Sequence, residues 1–541
     1  MTALTEGGAR QGSLVGLVVE GDGAVSVAVN GSEWEASIAE VGVADEKIRP
    51  RWVVWSQETA RELVGDGVRV ATCWDVAAVH RLLFGGWRAD RAYAWACLHW
   101  QPPEEVPVAS AEPDLFSAAR DDADTPTFGA RDALEAARLQ LASLTRLGGR
   151  RRVGTARAES TAELLCAELS ADGLPIDRAA MEGQLNQSIG PRPRGSAQAL
   201  ATRAARDARV LRHAPTNAGT SVSADLRSPA QVKSLLAMAG INVPDTRAGR
   251  LEEYRDRSPL VAALLEWRKS ERIATTYGYA WLDEHLGADG RLRGAWTGSD
   301  GAAGRMTASS GLHNMPALLR QAVLAEDGHL FVRADLGQIE PRVLAAVSGD
   351  AALAAATAAD DMYLPVAAEL GVDRPTAKVA MIAAMYGQTT GHGGVAGRRM
   401  RAAYPIAMGY LDAADRSARA GHDLHTYGGR LLRMSGGAND ASARQGARGR
   451  YGRNAVVQGA AAELFKMWAV TVRARTAPLK ARIVLCLHDE LLVQVPAPQA
   501  ERAAEQIGTS LTEATRRWAP DGSVRFIADI TIAGSWADAK S

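Results

Sequence analysis

Two carboxylates, each set against an apolar, β-prone run, constrain this chain more than any other feature: Asp335 in VRADLGQIEPR and Asp489 in IVLCLHDELLVQV. Both are predicted at or near strand ends. They lie so far apart in sequence that only tertiary folding can bring them together. Brought together, they form the kind of acidic pair with which two divalent ions clamp the attacking and leaving oxygens of a phosphoryl transfer. Taken singly, a strand-end Asp is more often a turn or cap residue. However, His488-Asp489-Glu490 stands between two alternating apolar runs, which predicts a hairpin turn without the Gly, Asn or Pro that turns favour. Local violations of this kind concentrate at functional sites.

Between the two carboxylates, Arg374, Lys378, Ile382 and Tyr386 recur every four residues, a spacing that keeps them on one helical face. Two cations, an aliphatic group and a phenol in one stripe suit a triphosphate, a sugar and a base. Gly387 and Gly391 are expected to close the helix. Alone, such a helix reads more simply as amphipathic with solvated cations. Lys378 is one of only seven lysines among 62 Lys and Arg residues, and its presence where arginine is the compositional default points to a need for a compact ammonium.

At 541 residues the chain is too long for one ordinary core and predicts several domains. No apolar run reaches the roughly 18–20 residues of a membrane span, and the N-terminus lacks the basic flank and apolar core of a signal peptide. The widely spaced Cys73, Cys97, Cys166 and Cys486 form no CxxC pattern and suit a reduced compartment. Net charge is zero, but binding footprints are local. Between Arg398 and Arg453 eleven arginines face four aspartates, with Gly and aromatic residues interleaved. Such a stretch could neutralise phosphates or be an ordinary solvated face.

The expected organisation is an α/β multidomain chain. Residues 1–100 form a small α/β unit, 101–129 an acidic Pro-containing linker, and 130–159 a connecting helix and basic segment. A helical region covers 160–290, with Ser228-Pro229-Ala230-Gln231 as a capping-box start. Mixed strands and helices follow from about 290 to the C-terminus.

Together these motifs resemble those of family A DNA polymerases, the bacterial DNA polymerase I group. Asp335-Leu-Gly-Gln338-Ile-Glu340-Pro-Arg342 is similar to the family's DYSQIELR, Arg374 through Gly387 to its RxxxKxxxFxxxYG helix, and His488-Asp489-Glu490 to its HDE. In order with them, Gly304-Arg305 resembles GRLSS, Leu312-His-Asn314-Met-Pro316 resembles LQNIP, and Arg320-Gln-Ala resembles RQAF. Arg450, Asn454 and Gln458-Gly459 resemble RxxxNxxxQG. The resemblance covers about 160–541 and implies a right-hand polymerase, with thumb at 160–290, palm at 291–350 and 426–541 around an antiparallel sheet, and fingers at 351–425.

The resemblance further implies two Mg²⁺ ions, replaceable by Mn²⁺, on Asp335, Asp489 and the Leu336 carbonyl. Glu490 would be an auxiliary carboxylate. Arg374 and Lys378 would grip the phosphates of a deoxynucleoside triphosphate, with Lys378 a candidate proton donor to the leaving group. Tyr386 would stack near the nascent base pair. Gln338 and Tyr363 would also line the nucleotide site, and Glu340 would block a ribose 2′-hydroxyl. Arg305, Asn314, Arg320, Arg450, Asn454, Gln458 and His488 would contact primer–template DNA. Leu336, Gly337 and Pro341 depart from the family pattern, as do Tyr363, which replaces a phosphate-binding His, and Ile382, which replaces an aromatic that influences sugar selection. Glu340 argues against the related single-subunit RNA polymerases, and retention of both Asp335 and Asp489 against a silent DNA-binding scaffold.

Residues 1–100 resemble part of the family's 3′–5′ exonuclease domain. Asp75 and Asp90 match motif positions there, but the first-strand DxE and the YxxxD motif have no counterpart, so weak or absent proofreading is expected; a working exonuclease is the alternative. No 5′ nuclease domain is expected. Within the linker, Leu115-Phe116 resembles the short apolar peptides that dock on the bacterial sliding clamp, although incidental linker hydrophobes are the plainer reading. A monomer in the cytoplasm, associated with the nucleoid, completes the expectation.

Overall fold

The computed structural model describes the chain except residues 1–3, 5–6, 21–22, 100–127, 216–222, 301–302, 388–391, 435–441 and 541. Most of the linker, with Leu115 and Phe116, and also Gly391, therefore lie outside the described residues. The chain divides into two compact units. The first holds residues 1–173, 295–309 and 325–534, and the second 174–294, 310–324 and 535–541.

The first unit begins with a five-stranded sheet of β1 (Leu14–Val19), β2 (Val25–Val29), β3 (Ser32–Ala36), β4 (Arg51–Val54) and β5 (Cys73–Asp75), in the order β3-β2-β1-β4-β5. β1–β4 and β4–β5 are parallel, the other pairs antiparallel. Alternation divides the apolar side chains between two faces: Val15, Leu17, Val25 and Val27 pack in one core cluster, Val18, Ala28 and Val53 in another. Gly16 lies so close to the helix α1 (Ala130–Asp172) that a Cβ would stand 2.0 Å from the Ala130 carbonyl oxygen. Only glycine permits this approach.

α1 corrects the expected boundary at 159/160. The helix runs through that point, kinked at Gly148 and Gly149. On either side of that point, Glu159, Glu163 and Glu168 are buried in the first unit. Glu159 accepts from Lys466 Nζ and Arg430 Nη2, both at 2.5 Å, and Glu168 pairs with Arg473 at 2.6 Å. A helix so tied to distant basic side chains has no linker to yield a boundary.

The same unit contains a four-stranded antiparallel sheet of β6 (His329–Leu336), β7 (Arg482–Cys486), β8 (Glu490–Pro496) and β9 (Ala528–Ala533), in the order β7-β8-β6-β9. Phe331, Val332, Ala334, Leu491, Leu492, Val493 and Val495 are fully buried, which explains the apolar runs that flank both motifs. Helix α2 (Ile339–Ser348) follows β6, α3 (Arg374–Tyr386) follows later, and the long α4 (Ser442–Thr476) packs against helices Pro405–Arg419 and Ala500–Trp518.

The second unit is mainly helical, with Val232, Leu235, Leu236, Val261, Leu264 and Leu265 in its core. Ser228 caps helix Pro229–Met238 by accepting the Gln231 N–H. The Gln231 side chain, expected to reach back to the Ser228 N–H, instead accepts from the Asp225 N–H at 2.8 Å. The Ser228 N–H already donates to the Asp225 carbonyl at 3.0 Å, so the box is half formed.

Candidate active site

Asp335 is the second-last residue of β6, the strand flanked on both sides. Across the sheet it faces Glu490 on β8 and Asp529 on β9. The next residue, Leu336, donates its N–H to the Asp489 carbonyl at 2.8 Å, which draws the two motifs together at backbone level. Asp489 and His488 form the tip of the β7–β8 hairpin, closed by Leu487 N–H to the Glu490 carbonyl at 2.8 Å. His488 is exposed, Asp489 half-buried and Glu490 buried.

Beside Asp335 lies a cation that the motif does not announce. Arg333 forms an ion pair with Asp335, and its Nε stands 3.2 Å from Glu490 Oε1. That Nε contact lacks hydrogen-bond geometry and is electrostatic. Among the described residues no group of three or more His, Cys, Asp or Glu side chains is arranged as a metal cluster. The acids that Arg333 faces here are Asp335, Glu490 and Asp529, with the Asp489 carbonyl on the Leu336 N–H. All-oxygen donors suit hard divalent cations such as Mg²⁺, and the Arg333 guanidinium already occupies a place beside the acids where positive charge is favoured.

α2 opens with Gln338 in a left-handed conformation (φ 51°, ψ 47°), unusual for a residue with a side chain. Its amide is held at both ends: Oε1 accepts the Met362 N–H at 3.1 Å and Nε2 donates to Asp361 at 3.3 Å. Asp361 also accepts the Tyr363 N–H at 3.0 Å and is ion-paired with Arg374. Gln338, Tyr363 and Arg374 are thus gathered by an aspartate that sequence reasoning did not single out. Its only sequence sign is adjacency to the Tyr363 segment. The Tyr363 hydroxyl is pushed up to about 12, first by burial and then by Asp361 and Glu340. Glu340 is raised by burial against the lowering pull of Arg305, with Asp489 adding repulsion. Its carboxylate is 3.0 Å from Arg305.

Asp373 caps α3 by accepting the Thr376 N–H at 2.9 Å, and Gly387 (φ 66°) ends the helix in the left-handed conformation. Ala377, Ala380, Met381 and Ala384 anchor the helix on its buried side. Arg374, Lys378 and Tyr386 are exposed and Ile382 is half-buried, so the stripe of four lies off the core. Tyr386 is joined to α4, its hydroxyl accepting from Gln458 Nε2 at 3.1 Å. Arg450, Asn454 and Gln458 follow one another along α4 at steps of four. Arg450 is exposed, and Asn454 keeps a buried Oδ1 without a hydrogen-bond partner. Asn314 and Arg320 belong to the second unit. There the Asn314 carbonyl accepts from Arg272 at 3.0 Å, and Arg320 lies over the Trp536 ring at 4.4 Å.

The arginine-rich stretch is less free than its composition implies. Arg401 and Arg453 share Asp412, Arg419 pairs with Asp415, and Arg448 donates to the Ala418 and Arg419 carbonyls. Arg430 is buried on Glu159. These contacts are intramolecular, and a pattern of charge alone cannot distinguish them from phosphate sites. Asp75 and Asp90 are likewise helix N-caps, accepting from the Ala78 and Tyr93 N–H groups.

The family model for DNA polymerase family A matches residues 197–538, and the chain belongs to that family. It is 32% identical over 286 residues to DNA polymerase I of Chloroflexus aurantiacus, a match covering 47% of this chain and 30% of the relative. It is 28% identical over 323 residues to the thermostable DNA polymerase I of Thermus filiformis, covering 54% and 38%. The chain therefore matches only about a third of the length of these relatives. Its fold is similar to the POL domain of Pol1 from M. smegmatis, solved in complex with DNA primer-template and dNTP. The TM-score is 0.70 and the identity 19%, over 100% of this chain and 98% of that one. Family A DNA polymerases use divalent metal ions. Among the described residues no helix is long and apolar enough to cross a membrane.

Proposed function

We propose that this protein is a template-directed DNA polymerase that adds deoxynucleotides to a primer 3′-hydroxyl, with weak or no proofreading. The observation that carries the reading is the Leu336 N–H to Asp489 carbonyl bond, which sets the Asp335 and Asp489 segments side by side. Family membership supports it.

In this reading Asp335, Asp489 and the Leu336 carbonyl hold two Mg²⁺ ions, with Glu490 as auxiliary carboxylate. Bound there, the metals would acidify the primer hydroxyl and neutralise charge on the triphosphate. Arg374 and Lys378 receive the phosphates, and Lys378 donates a proton to the departing pyrophosphate. Gln338 and Tyr363 wall the same pocket. Tyr386 stacks near the new base pair, and Glu340 excludes a 2′-hydroxyl. Arg305, Asn314, Arg320, Arg450, Asn454, Gln458 and His488 hold primer–template DNA. The palm, fingers and thumb assignments belong to this reading, with the thumb taken from residue 174, as does a cytoplasmic monomer. The capping roles of Asp75 and Asp90 support weak proofreading.

Asp335→Ala and Asp489→Ala are each expected to abolish primer extension and leave primer–template affinity within a few fold in a gel-shift assay. Extension that survives either substitution refutes the reading. Running the wild type with ribonucleotides in parallel tests the RNA polymerase alternative, which Glu340 disfavours.

A further inference from the structure

Arg333 and Asp335 are separated by one residue on β6, so the two-residue period of a strand puts both side chains on one face of the sheet. On that face Asp335 lies between Glu490 of β8 and Asp529 of β9. The Arg333 guanidinium touches all three acids. It is ion-paired with Asp335, its Nη2 donates to Glu490 Oε2 at 3.4 Å, and its Nη1 stands 3.8 Å from Asp529 Oδ2.

The three acids differ in access. The Glu490 side chain is 2% exposed, Asp335 31% and Asp529 78%. A buried carboxylate needs a permanent partner, because an uncompensated charge in the sheet is strongly unfavourable. Asp335, nearer solvent, can exchange its partner. A divalent cation arriving at Asp335 meets a carboxylate already engaged by a positive group, and the two cations repel.

Resting on the polymerase reading of this site, we propose that Arg333 is a positioning residue that holds Asp335 and Glu490 before metal arrives, yields Asp335 to the metal while staying on Glu490, and so sets the divalent-ion concentration the site requires. The displacement breaks no covalent bond. The contacts allow it: Nη2 is shared by Asp335 and Glu490 while Nε also faces Glu490, so the guanidinium can stay on Glu490 when Asp335 turns to the metal.

The test is calorimetric titration of Mn²⁺ into the whole protein, without DNA or nucleotide, for wild type, Arg333→Ala, Arg333→Lys and the double variant Asp335→Ala/Asp489→Ala. Arg333→Ala is expected to bind Mn²⁺ about tenfold more tightly, since a competing charge has gone. Arg333→Lys, which keeps the charge but loses the fork, is expected to bind about threefold more tightly. A purely structural Arg333 would leave affinity unchanged or lower it when removed, and either result in folded Arg333→Ala overturns the proposal. If circular dichroism shows Arg333→Ala unfolded, Arg333→Lys decides by the same criterion. Mn²⁺ binding by the double variant equal to wild type would sink the metal-site reading itself, independently of Arg333. Lost binding there with unchanged Arg333 variants sinks only the present proposal.

Discussion

Arg305 and Glu340 form an ion pair of 3.0 Å, with the Glu340 carboxyl raised by burial and by the nearby charge of Asp489. Arg305 thus keeps a half-buried carboxylate fixed beside the candidate catalytic acids. A carboxylate held so firmly can exclude a hydroxyl by sterics and repulsion. Glu340→Ala is predicted to raise ribonucleotide incorporation relative to deoxynucleotide by about 10²-fold or more, within the range that one misplaced polar group can impose. The ratio of single-nucleotide kcat/KM values measures it, and an unchanged ratio removes Glu340 from sugar selection.

Ile382 occupies the half-buried third position of the α3 stripe, between exposed Lys378 and Tyr386. An aromatic ring there would alter the surface offered to the sugar. Ile382→Phe is predicted to change the ratio of dideoxynucleotide to deoxynucleotide incorporation, scored by terminated products in primer extension. Equal ratios in both proteins would count against this role.

Arg342 is fully buried and donates to the carbonyls of Gly337, Thr357, Ala359, Asp360 and Arg525. It belongs to the Asp335 motif, yet its contacts make it a structural clasp on the turn that carries Gln338. Arg342→Ala would leave several buried carbonyls unsatisfied and is predicted to destabilise the first unit by about 3 kcal/mol or more. Urea unfolding gives the value, and a loss under about 1 kcal/mol contradicts the clasp role.

The Asp75 carboxyl is raised to about 8, first by burial and then by Glu163, with Arg81 opposing. An unfolded Asp titrates near 4. Between roughly pH 4 and pH 8 the folded chain therefore holds a proton that the unfolded chain releases, and stability must fall as pH rises through that window. Asp75→Asn keeps the N-cap on Ala78 and cannot ionise. It is predicted to flatten that pH dependence and to stabilise the protein above pH 8 by a few kcal/mol, on the order set by the size of the shift. Thermal unfolding of both proteins from pH 5 to 9 decides this; parallel curves refute it.

Much of the local structure was legible in sequence because it follows from short-range periodicity. The strand before Asp335, the hairpin carrying Asp489 and the α3 stripe closed by Gly387 are each written in a few consecutive residues. The 159/160 boundary was not, because glycines at 148 and 149 only kink α1 and a fold boundary depends on distant partners such as Lys466 and Arg473. The ion-pair partners within the arginine-rich stretch were not legible for the same reason: Asp412, Asp415 and Glu159 meet some of its side chains only once the helices have packed.

The sequence by itself determined the family and named the acids, since ordered motifs survive as strings of residues whatever their geometry. It also determined the face of α3, a consequence of helical period alone. Only the tertiary structure decided what surrounds those residues. That Glu490 and Asp529 flank Asp335, that Arg333 stands among all three, and that Asp361 gathers Gln338, Tyr363 and Arg374 depends on the register of β6 against β8 and β9 and on the packing of helices. Strand register and ion pairing between distant residues are properties of the assembled sheet, where burial makes each carboxylate find a counter-charge.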